Sequence, residues 1–158
     1  MVLTLVLSLG VTAFAAENTG SITITNATVG NSYSLYKIFD ATYSTDANGN
    51  TDAVSYSISK DNQFFSYMFG ADGKTVNTYF SYDAVTGAVT RKEGTQNSDI
   101  IGYLTDMVRS EENDFEAVTT KNATAETVVF SDLPYGYYLI DKGVDTAVTI
   151  DSNTPNVQ

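Results

Sequence analysis

The chain of 158 residues contains no cysteine and no histidine. Disulfides, zinc held by thiolate or imidazole, thiolate nucleophiles and every histidine-based acid–base or triad mechanism are therefore excluded together. That removes most familiar hydrolases, and no enzyme activity and no cofactor are expected. Positive charge is scarce as well, with eight Lys and Arg against 19 Asp and Glu and a net charge of -11. Surfaces that follow nucleic-acid phosphates or anionic lipids need clustered cations, so nucleic acid is not an expected partner. At this length one domain is expected, burying roughly two-thirds of the surface its unfolded chain exposes.

The longest apolar run, VLTLVLSLGV near the start, is too short to anchor a mature protein across a bilayer. It has the length of a secretory hydrophobic region, and Ala13 and Ala15 follow it in an A-x-A arrangement ahead of an acidic segment. Residues 1 to 15 are read as a signal peptide whose basic leading region is missing, cleaved after Ala15. The mature chain, from residue 16 to 158, is expected to be exported, with no membrane insertion.

Beyond that run the chain alternates like a series of strands. GSITITN (20 to 26) sets Ile22 and Ile24 against Ser and Thr, the period of a strand with one buried face. NSYSLYKIFDATYS (31 to 44) is apolar on both sides, with Tyr33, Leu35 and Phe39 expected on one and Tyr36 and Ile38 on the other. Asn48-Gly49 predicts a hairpin leading into AVSYSIS (53 to 59). TVNTYFSYD (75 to 83) and AVTRKE (88 to 93) read as further strands, and 111 to 126 as a polar connection. Asp132, Pro134 and Gly136 suggest a tight turn before the buried run Tyr137 to Ile140, and TAVTIDSNTPNVQ closes the series. One segment departs from the pattern. In 97 to 110, Ile100, Ile101, Leu104, Met107 and Val108 fall at helical spacing, with Ser98 as candidate cap, Asp99 in the first turn and Arg109 in the last. Short strands with turns between them and one inserted helix predict a mainly β chain, an immunoglobulin-like β-sandwich carrying one short helix.

Candidate sites are few. Asp46, Asn48, Asn50 and Asp52 have the spacing of an oxygen-ligand calcium loop, but the glycine is misplaced and no bidentate Glu follows, so a solvated turn is the simpler reading. The carboxylates Glu111, Glu112, Asp114 and Glu116 lie in a polar connector, where charge runs are usually solvated. Two N-x-T triplets, at Asn26 and Asn122, match a glycosylation acceptor pattern and are attributed to chance. Eleven tyrosines would suit stacking on sugars if three or more faced solvent on one side; otherwise they fill half-buried strand positions with hydroxyls reaching water.

Three stretches taken in order, GSITITN, SYSLYKIFDATYS and VVFSDLPYGYYLIDKGVDTAVTIDSNTPNV, resemble the N-terminal domain of Gram-positive sortase-assembled pilins. The resemblance implies a structural subunit of a cell-surface pilus, joined to other pilin subunits by sortase and contributing to adhesion. The alternative is a surface module binding carbohydrate or another host ligand. No sorting signal occurs before Gln158, and an N-terminal portion of a longer pilin is expected. Relatives often carry an amide between a buried Lys and an Asn, with a protonated carboxyl polarising the Asn carbonyl. Here the corresponding positions are Thr25 or Asn26 and Lys142, which lack both the Lys and the acid, so the cross-link is not carried over. Lys37 with Asn153 or Asn156 is the residual candidate. The purified domain beginning at Ala16 is accordingly expected to show its calculated intact mass. A mass lower by one ammonia would reveal the amide and assign a lysine to it.

Overall fold

The computed structural model describes residues 19–48, 51–141, 146–150 and 156–157. It is mainly β, with curled sheets and two helices. In chain order the strands are β1 (Thr19–Thr25), β2 (Ser32–Thr45), β3 (Thr51–Ser57), β4 (Phe80–Tyr82), β5 (Ala88–Arg91), β6 (Thr119–Asn122), β7 (Thr127–Pro134), β8 (Gly136–Asp141), β9 (Thr146–Ile150) and β10 (Asn156–Val157). The helices are α1 (Phe65–Phe69) and α2 (Asn97–Arg109). In the smaller sheet β1 lies between an antiparallel β7 and a parallel β10. The larger sheet runs β4-β5-β3-β2-β8-β9, and β6 pairs with the N-terminal part of β2 on the edge that β3 takes further along.

The central pair, β2 and β8, is buried on both faces. Tyr33, Leu35, Tyr138 and Ile140 point toward the smaller sheet and form a core with Ile22 and Ile24 of β1 and with Val128, Phe130 and Leu133 of β7. Ile38, Phe39 and Leu139 belong to a second core, completed by Phe65, Met68 and Phe69 of α1, Ile100, Leu104 and Met107 of α2, and Phe80 and Val89. Strands covered on both sides lose the polar alternation of a half-exposed strand, which is why Ile38-Phe39 and the run Tyr137 to Ile140 read as continuous apolar stretches.

Two bulges adjust the register. Lys37 pairs with Tyr138 but Phe39 with Tyr137, so Ile38 is an extra residue on β2. The insertion turns Phe39 to the same side as Ile38, opposite to the side strict alternation predicts. On β7, Ser131 and Asp132 lie between Phe130, which pairs with Ile22, and Leu133, which pairs with Gly20. Asp132 sits there at φ 57, a left-handed conformation its short polar side chain tolerates. The expected tight turn is thus a bulge, and β7 continues to Pro134 before the chain crosses sheets at Tyr135. At that crossing the buried Tyr138 hydroxyl donates to the Pro134 carbonyl at 2.7 Å.

The predicted helix is present as α2, but its cap is Gln96 with no side-chain bond, and Ser98 lies inside the first turn. Arg109 pairs with Asp141 at the end of β8, its Nε donating at 2.7 Å. Its side chain is 46% exposed and that of Asp141 14%, and a pair open to solvent on the arginine side contributes about 1 kcal/mol. Each large side chain buried under the helix contributes roughly 1.5–3 kcal/mol. Packing, not the ion pair, holds α2 in place.

Three elements escape the sequence reading. α1 is a five-residue helix of mostly aromatic residues, with little helical propensity of its own. Asn62 starts it, accepting the Phe64 N–H on Oδ1 and the Phe65 N–H on its carbonyl, both at 2.9 Å. β6 lies in what reads as a polar connection, and of the expected strand 75 to 83 only Phe80–Tyr82 pairs. On β7, the Lys121 Nζ donates to the Val129 carbonyl at 2.6 Å and lies 5.4 Å from the Phe130 ring centroid, covering part of a strand edge that β1 leaves open.

Gly136 shows how tight the centre is. A Cβ there would sit 2.7 Å from the Phe39 carbonyl oxygen and 2.6 Å from the Lys37 Cε. The lysine can swing aside; the backbone oxygen of a central strand cannot. Gly136→Ala is expected to cost roughly 1–3 kcal/mol in urea denaturation, and Arg109→Ala no more than about 1 kcal/mol. The reverse ranking would show the helix to be held by its ion pair.

Candidate functional site

Among the described residues, those singled out by sequence lie in separate parts of the fold. Asp46 accepts the backbone N–H of Asn48 at 2.8 Å on Oδ1, the local bond of an Asx turn, within the β2–β3 hairpin. Asp52 is exposed and Asn50 lies outside the described residues. Among the described residues no group of three or more acidic side chains is gathered to hold a metal ion. Glu111, Glu112, Asp114 and Glu116 are all exposed. Lys37, on the larger sheet, forms an ion pair with Asp40 at 2.5 Å. The backbone of Asn156 runs beside Thr23 on the smaller sheet, and Asn153, like residues 1 to 15, lies outside the described residues. Among the described residues no helix is long and apolar enough to cross a membrane.

The tyrosines are distributed rather than displayed. Tyr33 and Tyr138 are buried, Tyr67 is exposed at 45%, and the other eight are intermediate. No solvent-facing trio forms on one side. Instead a file of rings crosses the helical layer: Tyr36 to Phe64 at 6.4 Å between centroids, Phe64 to Phe115 at 4.7 Å, Phe115 to Tyr67 at 6.1 Å, Tyr67 to Tyr103 at 6.3 Å, and Tyr103 to Tyr79 at 5.1 Å.

Asn77 ties this layer together. Buried at 7% exposure, it accepts the N–H groups of Tyr79 and Phe80 on Oδ1, at 2.8 and 3.0 Å. Its Nδ2 donates to the Tyr103 hydroxyl at 2.9 Å and the Met68 carbonyl at 3.3 Å. One fully bonded amide thus joins α1, α2 and the approach to β4, and a buried polar group satisfied on every side is a rigidifying element. Thr105, buried on α2, has an Oγ1 with no partner.

A cleft of about 570 Å³ lies between β3, β5 and the start of α2. Phe39, Phe80, Tyr56 and Tyr137 form its aromatic floor, with Val89 and Ile100 beside them. The rings meet edge to face, Phe39 against Phe80 at 5.1 Å and Tyr56 against Tyr137 at 5.7 Å. Arg91 stands at the rim, its Nη1 donating to Asn97 Oδ1 at 2.6 Å and its Nη2 to the Thr95 carbonyl. Sequence reasoning missed this set, because the four rings come from four strands and Arg91 looks like any strand charge. The switch to helical periodicity just after it was the one available signal.

A scan against family models, a search of curated proteins and a search of solved structures each found no match for this chain.

The hydroxyls of Tyr103 and Tyr137 are both pushed up to about 12 from the ordinary 10.0. Burial is the main cause in each. Tyr67 and Tyr79 add to it at Tyr103 against the Asn77 bond, and Tyr56 adds to it at Tyr137 against the charge of Arg91. An acid harder to ionise when folded gives up its proton first in the unfolded chain. Its stabilising effect is complete below pH 10.0 and is lost as pH climbs through about 12. Urea midpoints are expected to fall across that window, and flat midpoints would show both hydroxyls to be solvated.

Proposed function

We propose that this chain is an exported, immunoglobulin-like β-sandwich that serves as a structural subunit of a sortase-assembled pilus, without catalytic turnover. One observation carries the reading. The three stretches that resemble pilin N-terminal domains supply nearly the whole of one core: Ile22 and Ile24 from the first, Tyr33 and Leu35 from the second, and Val128, Phe130, Leu133, Tyr138 and Ile140 from the third. Segments far apart in sequence thus act as one packing unit, as a shared domain plan requires.

A second feature supports the sandwich architecture. In immunoglobulin-like domains a tyrosine near the start of a late strand often donates its hydroxyl to backbone a few residues upstream, at the corner where the chain changes sheets. Tyr138 and the Pro134 carbonyl make the same bond at the crossing from β7 to β8. The helical layer on the far face of the larger sheet is an addition to that plan. The partners of this reading are neighbouring pilin subunits, sortase as the joining enzyme, and a host surface ligand.

Cell-wall extracts boiled in detergent supply the test. Antibody against the domain is expected to reveal a ladder of high-mass species when the cell's sortase is intact and one monomeric band when it is deleted. A single band in both strains would remove the pilus reading.

A further inference from the structure

The cleft beside Arg91 has a composition that a purely structural role does not require. Its floor is four aromatic rings braced against one another, so it keeps its shape when empty. Its volume, about 570 Å³, falls within the range of small-molecule sites, which are apolar clefts with a few fixed polar groups. Ser55, Thr90, Asn97 and the hydroxyls of Tyr56 and Tyr137 contribute polar lining, and the charged group is a guanidinium held in place by Asn97 and Thr95. A guanidinium carries five N–H donors. Those two bonds leave donors available, and among the described residues no carboxylate lies within ion-pair distance of Arg91. In a chain of net charge -11 with only eight Lys and Arg, a fixed cation without an acidic partner beside an apolar cavity is a distinctive combination.

We propose that this cleft binds a small organic anion with an apolar ring, the ring on the aromatic floor and the carboxylate or sulfonate against Arg91. The ring would displace water from the half-buried Tyr56 and Tyr137, and the anion would complete the hydrogen bonding of the guanidinium with charge-assisted bonds. The positive charge reaches the floor, because Arg91 favours ionisation of the Tyr137 hydroxyl against the effect of burial. The site is independent of the pilus reading: a fibre subunit and a free-standing domain would bind such a ligand equally.

Two dyes of matched shape test it, anilinonaphthalenesulfonate and its neutral counterpart N-phenylnaphthylamine, each titrated by fluorescence into the folded domain. The sulfonate is expected to bind saturably, one per chain. Arg91→Gln should weaken it by about tenfold, the scale of a lost charge-assisted bond, while leaving the neutral dye nearly unaffected. Ile101→Trp, which narrows the cleft from the partly exposed side of α2, should weaken both. Equal loss of both dyes in Arg91→Gln, or sulfonate binding indifferent to that substitution, overturns the proposal. Should Ile101→Trp fail to fold, ring resonances of the native chain decide: shifts at Tyr56 and Tyr137 on adding the sulfonate sustain it, and shifts confined to Tyr67 and Tyr103 sink it.

Discussion

The pairing of β2 with β8 is the constraint from which the rest follows. Both strands send bulky side chains to both faces, so neither face of the larger sheet can be left to water. On one side the smaller sheet supplies the cover, through β1 and β7. On the other, among the described residues, the cover is assembled from α1, α2 and the curled strands β3 to β5. Gly136 and the bulge at Ile38 are local adjustments that let two crowded strands approach without conflict.

The helical side is less regular than the sheet side, and it relies more on single polar groups. Asn62 starts a helix that would not form alone. Gln63 ties that helix to the chain before β6, donating to the Glu116 carbonyl at 2.9 Å and accepting the Glu116 N–H at 2.8 Å. Asn77 then connects both helices to β4. These amides do what hydrogen-bonded ladders do elsewhere: they fix the positions of segments whose sequence has no strong preference. The cleft lies at the seam between the two styles of construction, where β3 and β5 curl toward the start of α2.

Periodicity made most of the strands and α2 legible, because a half-buried strand and an amphipathic helix each write their exposure into the sequence. It failed where exposure does not follow period. A bulge at Ile38 shifts Phe39 across the sheet, and nothing in YKIFD marks it. β6 is short and largely exposed, so its polar sequence resembles a loop. α1 is a run of aromatic residues whose helical form comes from tertiary packing, which local propensity does not record. The cleft was illegible for a different reason. Its rings and its cation are far apart in the chain, and only the curl of the larger sheet brings them together. The run SDLPYGYYLID was read as a single buried strand after a turn, whereas it is two strands in two sheets with the crossing at Tyr135.

The lysine on the open edge of β7 bears on how copies of this chain can meet. Backbone zippering along that edge would require the Val129 carbonyl to exchange its bond with Lys121 for one to a neighbour, stranding an ammonium against a newly dry surface. Crowding many copies together therefore does not by itself recruit this edge into lateral sheets. A dense population of the protein gains nothing along this edge, and one route by which folded copies could merge into a common sheet is closed by a single side chain.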